Sequence, residues 1–127
     1  MSIDLEGRRL LLVEDEAMVA MMIEDQLEVF GCVVAGVAVN VSQGLRLAGD
    51  ATLSLDGAIL DVNLDGEEVY PVAGRLAELG VPFIFLTGYG RSGIAEGFQD
   101  VPTLAKPFAM EALEAILAET LANSRKP

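Results

Sequence analysis

Acids stand where two apolar runs stop abruptly. Leu10-Leu11-Leu12-Val13 ends at Glu14-Asp15-Glu16, and Ala58-Ile59-Leu60 ends at Asp61. Two further polar groups occupy equivalent positions: Thr87 after Val81-Pro82-Phe83-Ile84-Phe85-Leu86, and Lys106 after Thr103-Leu104-Ala105. Gathered in one crevice, Glu14, Asp15 and Asp61 repel one another unless a cation neutralises them. Their hard oxygens suit Mg²⁺, an ion that keeps several waters and often serves phosphate chemistry. What the chain lacks narrows the chemistry further. It has no histidine, so His-based general bases, Ser-His-Asp triads and His-ligated metals are excluded. Its one cysteine, Cys32, forms neither an internal disulfide nor a Cys-cluster metal site, which fits a reducing compartment.

These groups need elements to bring them together, and the pattern supplies them. After the first apolar run, Val19, Met22, Ile23, Leu27 and Phe30 fall on one helical stripe, which Gly31 terminates. Cys32 to Val39 reads as a second strand. Asn40, with Gln43 three residues on, reads as a capping box that opens a short helix through Leu45 and Ala48. Beyond the third strand and Asp61, a helix turns Val69, Val72, Ala73, Leu76 and Leu79 inward and closes at Gly80. Pro82 sits at the start of the fourth strand, where a missing N–H is tolerated. Thr103 to Ala105 is a short fifth strand. A last helix carries Leu113, Ile116, Leu117 and Leu121, and frays from Asn123 to Pro127. Ala109 offers that helix no side-chain oxygen as an N-cap.

Five strands alternating with helices specify an α/β domain, a parallel sheet covered on both faces. Right-handed crossovers leave few topologies, of which the flavodoxin-like (βα)5 three-layer sandwich with order 2-1-3-4-5 is the most economical. In that order the first and third strands are neighbours, so the three acids converge at the carboxyl ends of the strands, where open parallel sheets bind ligands. Gly88, Gly90, Gly93 and Gly97 crowd the segment after the fourth strand, and each interior glycine costs a helix about 1 kcal/mol relative to Ala. Residues 88–99 are therefore expected to be irregular and mobile, ordering when phosphate contacts Thr87.

Hydrophobic residues make up 52% of the chain, enough for a real core, and the length is that of one domain. The net charge of −12 argues against nucleic acid and anionic membranes as partners. Residues 1–7 are polar and acidic rather than signal-like, and no apolar run reaches membrane-spanning length, so a cytoplasmic location is expected.

Val13-Glu14-Asp15, Leu60-Asp61-Val62-Asn63-Leu64, Thr87-Gly88 and Lys106-Pro107-Phe108, in this order, resemble the motifs of a response-regulator receiver domain of bacterial two-component signalling. The likeness runs over about residues 9–121, leaving 122–127 as a tail. Phe85-Leu86-Thr87-Gly88-Tyr89-Gly90 and Val69-Tyr70-Pro71-Val72-Ala73 further resemble the FAT GUY receivers. The resemblance implies a stand-alone phosphoacceptor switch rather than a turnover enzyme. Asp61 would take a phosphoryl group from a histidine kinase or histidine phosphotransfer protein. Glu14, Asp15, Asp61 and the backbone carbonyl of Asn63 would hold Mg²⁺. Thr87 and Lys106 would contact phosphoryl oxygens, and output would pass to an unknown downstream protein. The family's cis peptide falls at Lys106–Pro107.

One departure concerns the switch. Receivers often carry an aromatic three residues before the active-site lysine, and here that position is Thr103, leaving Tyr89 as the nearest alternative reporter and a control on water access. Met18 and Met21 lie beside the inward stripe; they either pad the core edge or offer a docking surface for a helical partner, and the second reading is preferred. Other readings compete: a phosphate sink for a shared kinase, a non-phosphorylated pseudo-receiver, and an Asp-nucleophile phosphohydrolase. The last wants a second Asp two residues after the nucleophile, where this chain has Asn63.

Overall fold

The structure, a computed structural model, describes residues 5–88 and 93–124. Its elements in chain order are β1 (Arg9–Val13), α1 (Ala17–Val29), β2 (Val33–Ala38), α2 (Val41–Ala48), β3 (Gly57–Asp61), β4 (Asn63–Leu64), β5 (Glu67–Glu68), α3 (Tyr70–Glu78), β6 (Phe83–Thr87), β7 (Thr103–Ala105) and α4 (Met110–Ser124). A single 3₁₀ turn, Ala51–Leu53, precedes β3. Five strands form one parallel sheet ordered β2-β1-β3-β6-β7. That is the expected 2-1-3-4-5, since β4 and β5 form a separate two-stranded antiparallel hairpin.

The sheet splits its side chains between two cores, as the two-residue period of a strand requires. Leu11, Val13, Ala58, Leu60, Phe83 and Phe85 face α2 and α3. Leu10, Leu12, Ile59, Ile84 and Leu86 face α1 and α4. β1, β3 and β6 are buried on both faces, which is why they read as continuous apolar runs. The second core reaches back to Leu5, which is fully buried.

Local chemistry explains the helix ends. Gly31 (φ +89°) and Gly80 (φ +73°) both take the left-handed conformation, and the amides that follow, Cys32 N–H and Val81 N–H, close onto the carbonyls of Leu27 and Leu76. At α2 the Asn40 side chain accepts from the Gln43 N–H at 2.8 Å, while Gln43 Oε1 accepts from the Val39 N–H at 3.0 Å. The box is therefore reciprocal, but its return arm lands one residue before the cap.

Two inward assignments change. Met22 is exposed, because the buried line of α1 is Ala20, Ile23 and Leu27, and Met22 lies about 200° around the helix from Ala20. Val19 is only partly buried against the same core. Leu79 is also exposed; as the C-cap residue of α3 it lies past the last packed turn. The crossover between β6 and β7 has no α-helix among the described residues. Residues 94–101 pass through bends and turns, pinned to the core by Ile94, Phe98 and Val101. Residues 89–92, including Tyr89, lie outside the described residues. No helix among the described residues is long and apolar enough to cross a membrane.

Candidate functional site

The carboxyl ends of the central strands are level. Leu60 pairs with Val13 and Phe85, Asp61 with Leu86, and Thr87 with Ala105. The Glu14 amide continues β1 by donating to the Ala38 carbonyl at 2.9 Å, and the Lys106 amide continues β7 by donating to the Thr87 carbonyl at 2.9 Å. Glu14, Asp61, Thr87 and Lys106 are thus fixed by sheet registry, and Asp15 follows Glu14 in the bend after β1. The Lys106–Pro107 peptide is cis.

Lys106 leaves β7, two strands from β3 and three from β1, so its stem must cross roughly 10 Å of sheet edge to reach the acids. It does: Nζ donates to Asp61 Oδ2 at 2.9 Å and to Glu14 Oε1 at 3.1 Å. A long side chain with a compact charge is what this span needs. Asp61 and Thr87 are almost fully buried, and Glu14 is fully buried. Asp61 Oδ1 accepts from the Asn63 N–H at 3.3 Å, and Glu14 Oε2 accepts from the Glu16 N–H at 3.2 Å.

Carboxylate oxygens of Glu14, Asp15 and Asp61 lie within 4.8 Å of one another. Burial, then the hydrogen bond and charge of Asp61, push the Glu14 carboxyl up to about 7, against the opposing pull of the Glu16 amide and Lys106. Burial by itself lowers the Lys106 ammonium, but its bonds to Asp61 and Glu14 outweigh that and hold it above its usual value. Three converging oxygen donors, one of them a buried acid that ionises reluctantly, fit a hard divalent cation such as Mg²⁺.

Two recesses open beside Asp61. One, of about 430 Å³, is lined by Asp15, Asp61, Asn63, Asp65 and Lys106. The other, of about 320 Å³, is lined by Asp61, Asn63, Glu68, Thr87, Gly88 and Gly93. Asp65 and Glu68 are the residues that the sequence reading passed over. They reach the site because Asp65 (φ +53°) and Gly66 (φ +94°) form the turn of the β4–β5 hairpin, with the Gly66 N–H donating to Asn63 Oδ1 at 2.9 Å. The Asp-Gly dipeptide was the available signal. Thr103, by contrast, turns its hydroxyl to the Val101 carbonyl at 3.0 Å, so this position brings neither an aromatic ring nor a free hydroxyl to the site. Cys32 is buried before β2, and burial raises its thiol to about 11.

No family model and no curated protein sequence matches the chain. Solved structures do. SdrG from Sphingomonas melonis Fr1 is 41% identical over 95% of this chain and 99% of its own, with a TM-score of 0.77. The signal receiver domain of a modulated diguanylate cyclase from Desulfovibrio desulfuricans G20 is 30% identical over 94% of this chain and 97% of its own, with a TM-score of 0.79. A response regulator receiver protein from Sinorhizobium medicae WSM419 shares the fold at 24% identity, covering 95% of this chain and 99% of its own, with a TM-score of 0.80.

Proposed function

Because the chain belongs to the response-regulator receiver family, we propose that it is a phosphoacceptor switch in which Asp61 takes a phosphoryl group from a phosphohistidine. The observation that carries this reading is Asp61 itself, a nearly buried carboxylate at the end of the central strand, 2.9 Å from an ammonium and beside a recess walled by Thr87. An Asp61 carboxylate oxygen forms the new O–P bond while the N–P bond to the donor imidazole breaks and the imidazole leaves. Such a transfer needs alignment and charge stabilisation more than covalent help from the protein.

Each neighbour then has a task. The Asn63 amide and Lys106 hold the Asp61 carboxylate in place. Lys106 follows the charge onto a phosphoryl oxygen, and the Thr87 hydroxyl donates to another. Glu14, Asp15, Asp61 and the Asn63 carbonyl would hold Mg²⁺, which when bound supplies positive charge to the transferred oxygens. The donor is a histidine kinase or a histidine phosphotransfer protein, and the readout is a changed protein–protein surface. Met18, Met21, Met22 and Asp25 form one outward face of α1 beside the acidic end of the sheet, and this adaptable surface is the proposed docking face for the donor.

Intact-mass analysis after incubation with Mg²⁺ and acetyl phosphate tests the reading. One phosphoryl adduct is expected on the wild type and none on Asp61→Asn or in chelator. An adduct that survives Asp61→Asn would overturn it.

A further inference from the structure

Thr87 and Gly88 lead the chain out of the acceptor recess, and Gly93 brings it back as part of the same recess wall. The described residues of the returning segment hold no α-helix to satisfy their backbone, and their anchor comes from α3. The Tyr70 hydroxyl, at the first turn of α3, accepts from the Ala95 N–H at 3.0 Å and donates to the Gly93 carbonyl at 3.3 Å. These contacts join residues 25 and 23 positions apart in sequence.

The ring that carries this hydroxyl is itself fixed. It stacks on Phe98, with centroids 5.2 Å apart and planes at 24°, and meets the Phe85 ring edge-on at 5.8 Å and 85°. Phe85 lies on β6, two residues before Thr87, and Phe98 lies on the returning segment. Three aromatic rings therefore set where one oxygen sits, and that oxygen sets where Gly93 and Ala95 sit. A polar atom held by packed rings loses little freedom when it binds its partners.

We propose that Tyr70 is a positioning residue for the acceptor site: its hydroxyl holds the Gly93 wall of the recess against Asp61 and so limits the access of water to the aspartyl phosphate. The inference rests on the acceptor role of Asp61. In hydrolysis a water oxygen forms a bond to phosphorus, the P–O bond to Asp61 breaks, and the carboxylate leaves with the electron pair as orthophosphate is released. The water's protons end on phosphate and in bulk solvent. No step uses Tyr70 as acid or base; it acts through the wall it holds.

The test compares wild type, Tyr70→Phe and Phe98→Leu, each phosphorylated with acetyl phosphate and Mg²⁺, freed of donor, and followed by intact mass. Tyr70→Phe keeps the rings and deletes the oxygen, so the phosphoprotein is expected to lose its phosphoryl group about five-fold faster, the size of one net hydrogen bond. Amide exchange at Gly93 and Ala95 should quicken in the same variant, whereas exchange at Leu12 and Ile59 should not change. Phe98→Leu keeps the hydroxyl but frees its ring, and a smaller acceleration is expected. A purely structural role would lower the melting temperature and leave the first-order lifetime of the folded phosphoprotein unchanged. An unchanged lifetime in both variants, with wild type phosphorylated, overturns this inference alone. No adduct on wild type overturns the acceptor role and this inference with it.

Discussion

On one face of the sheet, α1 and α4 lay helices of 13 and 15 residues over Leu10, Leu12, Ile59, Ile84 and Leu86. On the other, α2 and α3 contribute only 8 and 9 residues, and residues 93–101, with Ile94, Phe98 and Val101, add cover that holds no α-helix. A helix satisfies its own backbone, so the first face needs nothing from its cover beyond an aliphatic stripe. An irregular cover must find partners for its N–H and C=O groups elsewhere. Here part of that work falls to a tyrosine hydroxyl, and four aromatic rings lie on this face: Tyr70, Phe85 and Phe98 touch one another, and Phe83 touches Phe85. The same cover walls the recess beside Asp61 through Gly93. The two faces thus differ in how their cover is held: one by helices that satisfy their own backbone, the other in part by a segment anchored through a side-chain hydroxyl.

The largest effects should separate the two faces. Leu117, buried on α4, should cost about 3 kcal/mol as Leu117→Ala, because two long helices cannot collapse into the cavity. Ile94→Ala, on the irregular cover, should cost about 1–2 kcal/mol, since that segment can settle inward. Urea unfolding measures both, and equal losses would show the two covers to be equally stiff.

Next comes the seam between α2 and α3. A Cβ on Gly44 would stand 2.8 Å from Val72 Cγ2. Helix propensity favours Ala by about 1 kcal/mol, while overpacking costs about 1–3 kcal/mol, so Gly44→Ala should lose roughly 1 kcal/mol in a thermal melt. A stabilised variant would mean that this seam gives way as readily as the irregular cover.

A separate test is the pH response of the pocket where the faces meet. The Glu14 carboxyl is raised in the folded chain, so folding favours its protonated form. Its contribution is fully present below about 4.5 and is lost as pH rises through about 7. In chelator, the melting temperature should fall across that window, and Glu14→Gln should flatten the fall. Mg²⁺ binding requires the ionised acid, so calorimetry in two buffers should detect proton release below pH 7 that disappears at pH 8. A melting temperature that rises with pH over the window would reverse the sign and refute the argument.

The smallest effect on stability belongs to the outer side of α1. Met18 and Met21 are 84% and 63% exposed, so Met18→Ala with Met21→Ala should shift stability by no more than about 0.5 kcal/mol. The pair should slow phosphorylation by a histidine donor protein while leaving acetyl phosphate unaffected. Equal rates from both donors would remove the docking role.

Much was decided locally and could be read from the chain. The five strands, the stops at Gly31 and Gly80, the Asn40 cap and the placing of Glu14, Asp61, Thr87 and Lys106 at strand ends all follow from apolar runs, turn chemistry and the right-handed crossover. The β4–β5 hairpin was equally local, signalled by Asp65-Gly66, and its consequence is that Asp65 and Glu68 border the site. The glycine spacing also argued against a regular helix over 88–99, and the described residues 93–99 hold no α-helix. It gave no hint that Tyr70 restrains the segment's returning half. The same limit explains why Met22 was turned inward: period 3.6 says which residues share a face, but the width of the buried stripe depends on the partner surface. Lys106 reaching Glu14 across three strands, Leu5 closing the base of a core, and one hydroxyl bridging α3 to Gly93 are contacts between residues far apart in sequence. Only the tertiary structure could decide them, because a sequence encodes the preference of each surface to be buried, and packing chooses which surfaces meet.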